Sequence, residues 1–236
     1  MTLFKRAFSS SVRTTVQSTL RLSTALALSL PAVCLLTTIE AQAAKGPTVQ
    51  TNTGPVQGFV QNDVAEFLGI PYAAPPVGNL RWRPPQPHAP WRQVLNATNY
   101  GPICLQTATT PYSGPANQNE DCLFLNVFTP QTKPSRSGKL PVIVYIHGGG
   151  NLEGESTGYD GSKMARQGHT VVVTLNYRLG LLGDMANPAI DAEGHPFGNY
   201  DILDQQFVLQ WAKQNIANFG GDPNNITLGG QARART

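Results

Sequence analysis

The sequence is poor in charge and in cysteine, and both shortages limit the classes of protein it can belong to. Only 13% of its 236 residues are charged, against 40% that are hydrophobic, and it has three cysteines. This balance favours one or at most two globular domains over a disordered chain. No internal repeat is visible, which argues against a repeat architecture.

The sequence also lacks a clear membrane span. The apolar run LSTALALSLPAVCLL is short for one and contains Pro31. Four basic residues precede the run and Ala41-Gln42-Ala43 follows it, which predicts a secretory signal over residues 1–43 and an exported domain over 44–236. An uncleaved anchor is the alternative. After cleavage we expect no stable membrane anchor and a secreted or periplasmic location.

Removal of this leader changes the charge and the cysteine count. The leader holds four basic residues and one acid, so 13 basic and 13 acidic residues remain of the 17 and 14, and their charges cancel. A nucleic-acid partner is therefore not expected. Cys34 leaves with the leader, and Cys104 and Cys122 remain as a pair in an oxidising compartment. We expect them to form a disulfide, with two free thiols as the alternative.

The hydrophobic pattern predicts an α/β fold. VQTNTGPVQGFVQNDVAEFLGIPYA reads as short antiparallel strands broken at Thr53-Gly54-Pro55 and at Asn62-Asp63. PPVGNLRWRPPQPHAPW reads as a surface loop pinned by Trp82 and Trp91. The stretches CLFLNVFTP, KLPVIVYIHGGG and HTVVVTLNYR read as strands. The last two are almost continuously apolar and alternate with helical stretches, which predicts a mostly parallel central sheet with crossover helices.

The clearest helix is NYDILDQQFVLQWAKQNIANFGG. We predict a cap at Asn199 or Asp201 and an apolar face through Leu203, Phe207 and Trp211. Ile226-Thr227-Leu228 then reads as a short buried strand. Strand, helix and strand together form the crossover unit of a parallel sheet.

A glycine run, His147-Gly148-Gly149-Gly150, follows an apolar strand. Glycines allow backbone N–H groups to point at one spot without side chains in the way, as stabilisation of a developing oxyanion requires. A flexible turn is the alternative. A phosphate cradle is disfavoured because the GxxxxGK[ST] lysine is lacking. The sequence indicates no cofactor and no metal site.

An ester hydrolase would also need a serine in a G-x-S-x-G turn after a buried strand. The strand and the first glycine are present in Ile226-Thr227-Leu228-Gly229-Gly230-Gln231. Ala232 occupies the position where the serine is expected, and Ala234 occupies that of the second glycine. The predicted nucleophile position therefore has no hydroxyl group.

Six segments resemble, in chain order, motifs of the type B carboxylesterases, the α/β-hydrolase group that includes the cholinesterases. They are FLGIPYAAPPVGNLRW, NEDCLFLNV, PVIVYIHGGG, VVVTLNYRLG, LDQQ and NFGGDPNNITLGG. The resemblance implies the N-terminal part of an α/β-hydrolase, a small-molecule carboxylic ester as substrate and a serine acyl-enzyme mechanism. It also implies a Cys104–Cys122 disulfide and an oxyanion hole built by the amides of Gly149 and Gly150. We expect His147 and Gly148 to support that loop.

The chain departs from the family pattern at three places. Asn151 stands where an aromatic residue is usual, Tyr200-Asp201 stands in a segment that often carries glycine, and Gln231 replaces a glutamate. These differences leave the shape of the acyl pocket open, whereas the resemblance as a whole is unaffected.

The family's acid and histidine lie well downstream of its serine, in a chain of roughly twice this length. We therefore expect a fragment without a catalytic triad, inactive alone, in which Ile226–Leu228 would be left at a sheet edge with unpaired backbone groups. One added nucleotide after the Gln231 codon could restore a serine, so a frameshift is our hypothesis for this ending. A catalytically silent, cholinesterase-like binding module is the alternative.

Overall fold

The structure is a computed structural model that describes residues 46–107, 119–130, 138–195 and 198–231. The predicted signal over 1–43 and Ala232 lie outside these residues. The strands are β1 (Thr48–Gln50), β2 (Pro55–Gln57), β3 (Phe59–Gln61), β4 (Val64–Pro71), β5 (Leu95–Asn96), β6 (Phe124–Thr129), β7 (Leu140–Ile146), β8 (Val171–Leu175) and β9 (Gly221–Gly230). The α-helices are α1 (Ser162–Gly168), α2 (Gly180–Asp184), α3 (Pro188–Asp191) and α4 (Tyr200–Asn215).

Six of the strands form the central sheet, in the order β3-β4-β6-β8-β7-β9. The pairs β3/β4, β4/β6 and β6/β8 are antiparallel, and the pairs β8/β7 and β7/β9 are parallel. The α/β class is confirmed, but the sheet is mixed rather than mostly parallel. Parallel neighbours are joined by helical crossovers. Helix α1 lies between β7 and β8 in the sequence, and α4 lies between β8 and β9.

The predicted N-terminal hairpin region is confirmed. Asn62 and Asp63 join β3 to β4 with left-handed backbone angles, φ 50° and 63°. Two consecutive residues of this kind match the twist of a tight hairpin, and asparagine and aspartate tolerate them best after glycine. β1, β2 and β5 form a separate three-stranded sheet beside it.

The loop and the disulfide also follow the prediction. The indole Nε1 of Trp82 donates to Leu181 O at 2.9 Å, and that of Trp91 donates to Pro55 O at 3.0 Å. Cys104 and Cys122 are joined, with their Cα atoms 4.9 Å apart. Among the described residues, no helix is both long and apolar enough to cross a membrane.

Helix α4 is present as predicted, and its buried face agrees with the predicted one only at Trp211. Leu203 and Phe207 are only half-buried. The buried positions along its core-facing side are Asp204, Val208, Trp211, Ala212 and Asn215. The helix is rotated toward Asp204 because that carboxylate is bound by a buried arginine, as described below. Of the two predicted caps, Asn199 is the N-cap residue but its side chain accepts no capping hydrogen bond, whereas Asp201 Oδ1 accepts from the amide of Ile202 in the first turn at 2.7 Å.

Strand β9 is more exposed than predicted. Ile226 is half-buried and the Leu228 side chain is 55% exposed. The cause is its position, because β9 pairs only with β7 within the described sheet and forms its edge. The prediction of a buried strand is therefore wrong for this structure, whereas the expected apolar edge is present.

Candidate active site

The carboxyl ends of the parallel strands bring the glycine run and the end of β9 together. Gly230 is the register partner of Ile146, and the amide of Gln231 donates to Ile146 O at 3.1 Å. His147 follows Ile146 directly, so the glycine run begins beside Gln231. Ligands of open α/β sheets bind at this edge. The predicted nucleophile position, Ala232, is the next residue after Gln231 but lies outside the described residues.

The peptide planes of the glycine run are held by their carbonyl groups. The carbonyl of Gly149 accepts from the amides of Leu152 and Glu153, at 3.0 and 3.2 Å. Because a trans peptide places its C=O and N–H on opposite sides, these bonds direct the N–H of Gly150 away from residues 152–153. No described residue accepts a hydrogen bond from the amide of Gly149 or Gly150.

Glycine is required by the backbone of this loop. Gly149 and Gly150 have φ values of 118° and 63°, in a region that L side chains rarely adopt. A Cβ atom at Gly149 would clash with the carbonyl oxygen of Glu153. The run therefore adopts a turn that requires glycine, and its hydrogen bonds favour an ordered loop over the flexible turn that the sequence left open.

His147 lies behind this loop. Its ring stacks on Tyr177 with centroids 4.3 Å apart, and its Nδ1 lies 2.9 Å from Gly148 O. Since a carbonyl oxygen only accepts, Nδ1 carries the proton and donates. Burial lowers the pKa of His147 to about 4, although the bond to Gly148 opposes this shift. The imidazole is therefore neutral at pH 7.

This arrangement favours a supporting role for His147 over a catalytic one. Its Nε2 is buried and has no hydrogen-bond partner among the described residues, so a substrate could not reach it. The bond from Nδ1 fixes the plane of the Gly148–Gly149 peptide and turns the N–H of Gly149 to the opposite side. Support by His147 and Gly148 is thus consistent with the contacts.

Two of the departures from the family pattern contact each other. The side-chain amide of Asn151 donates to the carboxylate of Asp201, and both residues are buried. Asn151 has a left-handed φ of 60°, and its carbonyl accepts from Gly180 at 2.6 Å. The glycine loop is thereby tied to the first turn of α4. The third departure, Gln231, accepts a hydrogen bond from the hydroxyl of Tyr159.

A buried ion pair between the segment after β8 and helix α4 was missed by sequence reasoning. Arg178 donates to Asp204 through Nε at 2.8 Å and Nη2 at 2.7 Å, with side chains 3% and 0% exposed. Burial raises the pKa of Asp204, while Arg178 opposes the shift. The available signals were an arginine three residues after an apolar strand and the helical spacing of Asp204 from Val208 and Trp211.

Within the described residues, no three His, Cys, Asp or Glu side chains lie close enough together to hold a metal ion. The residues that the geometry does bring together are the glycine run, His147 and the end of β9.

A comparison with protein families identifies the family in which this arrangement occurs. A model described as "Carboxylesterase family" matches residues 45–233. The chain belongs to the carboxylesterase family.

Individual carboxylesterases support the assignment. The chain is 41% identical over 226 residues to liver carboxylesterase 1 of Oryctolagus cuniculus, covering 88% of this chain and 38% of the relative. It is 46% identical over 189 residues to the para-nitrobenzyl esterase of Bacillus subtilis (strain 168), covering 78% and 38%.

Solved structures of carboxylesterases share the fold. A PNB esterase structure matches with a TM-score of 0.72 and 45% identity, covering 78% of this chain and 38% of that one. A carboxylesterase of Geobacillus stearothermophilus matches with a TM-score of 0.67 and 39% identity, covering 78% and 38%. The resemblance and the α/β-hydrolase fold are confirmed. The chain spans 38% of the length of these relatives.

Proposed function

We propose that this chain carries the oxyanion-binding part of a carboxylic-ester hydrolase that acts on small-molecule esters. The supporting observation is the pair of N–H groups of Gly149 and Gly150. The carbonyl oxygens of the same two peptide units, Gly148 O and Gly149 O, are held by hydrogen bonds, and the two N–H groups bond to no described residue. Such preorganised donors stabilise the negative charge that develops on a carbonyl oxygen during acyl transfer.

In a complete family member the steps follow from this geometry. A serine after β9 would attack the ester carbonyl beside the glycine run, and the amides of Gly149 and Gly150 would receive the oxyanion. The alcohol would leave, and water would hydrolyse the acyl-enzyme to give the carboxylic acid and the free serine. This chain has Ala232 at that position, so it cannot form the acyl-enzyme there. We propose that it is inactive alone, after export to a secreted or periplasmic location.

A chimera tests the oxyanion role. Residues 46–231 of this chain would replace the aligned segment of the Bacillus para-nitrobenzyl esterase, whose remaining chain supplies the residues that follow β9. We expect hydrolysis of p-nitrophenyl acetate. In that chimera, Gly149→Ala should lower kcat by about 100-fold or more, because its Cβ displaces the loop.

Gly158→Ala is the matched control, since a Cβ at Gly158 meets no atom within 4 Å. Its kcat should equal that of the parent chimera. A folded chimera without esterase activity would refute the proposal, and so would equal activity of the Gly149→Ala and Gly158→Ala variants.

An esterase assay of the unmodified chain tests whether it is inactive alone. Purified residues 44–236 should hydrolyse p-nitrophenyl acetate no faster than buffer does. Turnover at a typical enzymatic rate would overturn the inactive assignment. A silent binding module, the second candidate, has no observation of its own in its favour beyond Ala232.

A further inference from the structure

Gln106 is a buried polar residue outside the glycine run. Its side chain forms hydrogen bonds with the loop that follows this run. Its side chain is 5% exposed. The Oε1 atom accepts from the amide of Gly154 at 2.9 Å, and Nε2 donates to Gly154 O at 2.8 Å. One side-chain amide thus satisfies both backbone groups of a single residue, as a neighbouring strand would.

Gly154 lies directly against the part of the loop that sets the amide directions. Its φ is 119°. A Cβ atom there would clash with Gly148 O and with His147 Nδ1, the two atoms of the hydrogen bond that orients the Gly148–Gly149 peptide. The backbone of Gly154 therefore packs directly on that bond and leaves no room for a side chain.

The other end of this connection is anchored in the framework. Gln106 Nε2 also donates to Cys104 O at 3.2 Å. Cys104 is covalently joined to Cys122, two residues before β6 begins. Gln106 accordingly links a fixed point of the sheet framework to Gly154.

We infer that Gln106 is a positioning residue for the oxyanion loop, which holds Gly154 against the His147–Gly148 bond and so fixes the direction of the Gly149 amide. The inference rests on the proposed function of Gly149 for its catalytic meaning. The mechanical part, that Gln106 restrains residues 147–156, stands independently and is tested first.

Hydrogen exchange of the full chain, followed by mass spectrometry, tests the restraint. Gln106→Leu removes all three side-chain hydrogen bonds at similar volume. Gln106→Glu, whose burial beside two carbonyl groups favours the neutral acid, keeps the acceptor for the Gly154 amide and one O–H donor in place of two N–H donors. Gln206→Leu on the exposed side of α4 is the control. Peptides covering 147–156 should exchange at least about tenfold faster in Gln106→Leu. Gln106→Glu should be intermediate, and the control unchanged.

Hydrogen exchange in β8 distinguishes a positioning role of Gln106 from a general effect on the stability of the chain. Peptides covering Val171–Leu175 should exchange at the same rate in all four proteins. Unchanged rates at 147–156 in Gln106→Leu would overturn the inference. Acceleration of the loop and β8 together would also overturn it, as would a Gln106→Leu chain that does not fold, because either result means a global structural role.

The chimera described above provides a second readout. Gln106→Leu should lower kcat by about tenfold while KM stays within about twofold, since misdirected amides weaken the transition state more than substrate binding. Gln106→Glu should recover part of kcat. A variant in which KM rises by the same factor as kcat falls would contradict a positioning role. A parent chimera without activity would refute the proposed function, while the exchange experiment would still decide the role of Gln106.

Discussion

Strands β8 and β9 both run parallel to β7, one on each side, yet they differ in almost every other respect. All five residues of β8 are buried. In β9 only Gly221 is buried, and Leu228 is 55% exposed. β8 has β6 as its second neighbour, whereas β9 has none among the described residues. Strand burial here follows the number of neighbours more than the hydrophobicity of the segment.

Helix α4 shows the same contrast in its polar contacts. Near its start, Asp204 pairs with Arg178, which follows β8, and neither is exposed. Near its end, Lys213 donates to Pro223 O and Asn224 Oδ1 of β9 in exposed hydrogen bonds. After the glycine run, Asn151 contacts Gly180, which follows β8, and Asp201 of α4, whereas Tyr159 contacts Gln231, which follows β9. We call β8 and the buried residues that contact it or the segment after it the β8 side, and expect stability to depend mainly on it.

The largest difference should come from placing a charge in each strand. Val173→Asp in β8 buries a carboxylate at a position that is 0% exposed, and should cost more than about 5 kcal/mol and unfold the chain. Leu228→Asp in β9 should change the free energy of unfolding by less than about 0.5 kcal/mol. Urea unfolding followed by circular dichroism measures both. Similar losses in the two variants would break the comparison.

The two polar contacts of α4, the Arg178–Asp204 ion pair and the Lys213 hydrogen bonds, should differ next most. Arg178→Met leaves the Asp204 carboxylate buried without its partner and should cost about 4 kcal/mol in urea unfolding. Lys213→Met should cost less than about 0.5 kcal/mol, because its contacts are exposed. The double variant Arg178→Met/Asp204→Leu should regain most of the loss, since no unpaired charge remains. A double variant as unstable as Arg178→Met would contradict this account.

The contrast between β8 and β9 also explains what the sequence could reveal. An unbroken run such as Val171-Val172-Val173 predicts a strand covered on both faces, and β8 agrees. Ile226 and Leu228 carry the same local signal, but periodicity does not report whether a second strand lies alongside. The face of α4 was misassigned for a related reason, because apolar spacing alone does not indicate a buried aspartate whose arginine lies 26 residues away.

The candidate site was predictable where its chemistry depends on local backbone. A glycine run after an apolar strand indicates exposed amides without any knowledge of the fold. Gln106 could not be found in this way, since its partner is the backbone of a glycine 48 residues further along. The Asn151–Asp201 contact was visible only as two separate departures from a family pattern.

His147 should make the β8 side sensitive to acid. Burial lowers its pKa to about 4 from its ordinary value of 6.5. Between these values the unfolded chain binds a proton that the folded chain does not, so stability is lost as the pH falls from 6.5 toward 4. The expected loss at pH 4 is about 3 kcal/mol from this residue. Urea unfolding at pH 7 and pH 4 measures it.

His147→Phe keeps an aromatic ring on Tyr177 but removes the titration. Its stability loss between pH 7 and pH 4 should be smaller than that of the parent chain by about 3 kcal/mol. His169→Asn, at an exposed left-handed position, is the control and should leave the acid loss unchanged. If the His147→Phe chain loses as much stability as its parent, the buried neutral imidazole is not the source.

The smallest expected difference lies in the two hydrogen bonds that tie the loop after β7 to its surroundings. Asn151→Ala removes one donor from the carboxylate of Asp201, which is 0% exposed, and should cost about 2 kcal/mol. Tyr159→Phe removes the hydroxyl that donates to the exposed Gln231, where water can replace it, and should cost less than about 0.5 kcal/mol. Thermal unfolding of the two variants at the same pH compares them. Equal losses would mean that the end of β9 is as well ordered around the site as the start of α4, and the asymmetry between the two sides of β7 would then be confined to the strands themselves.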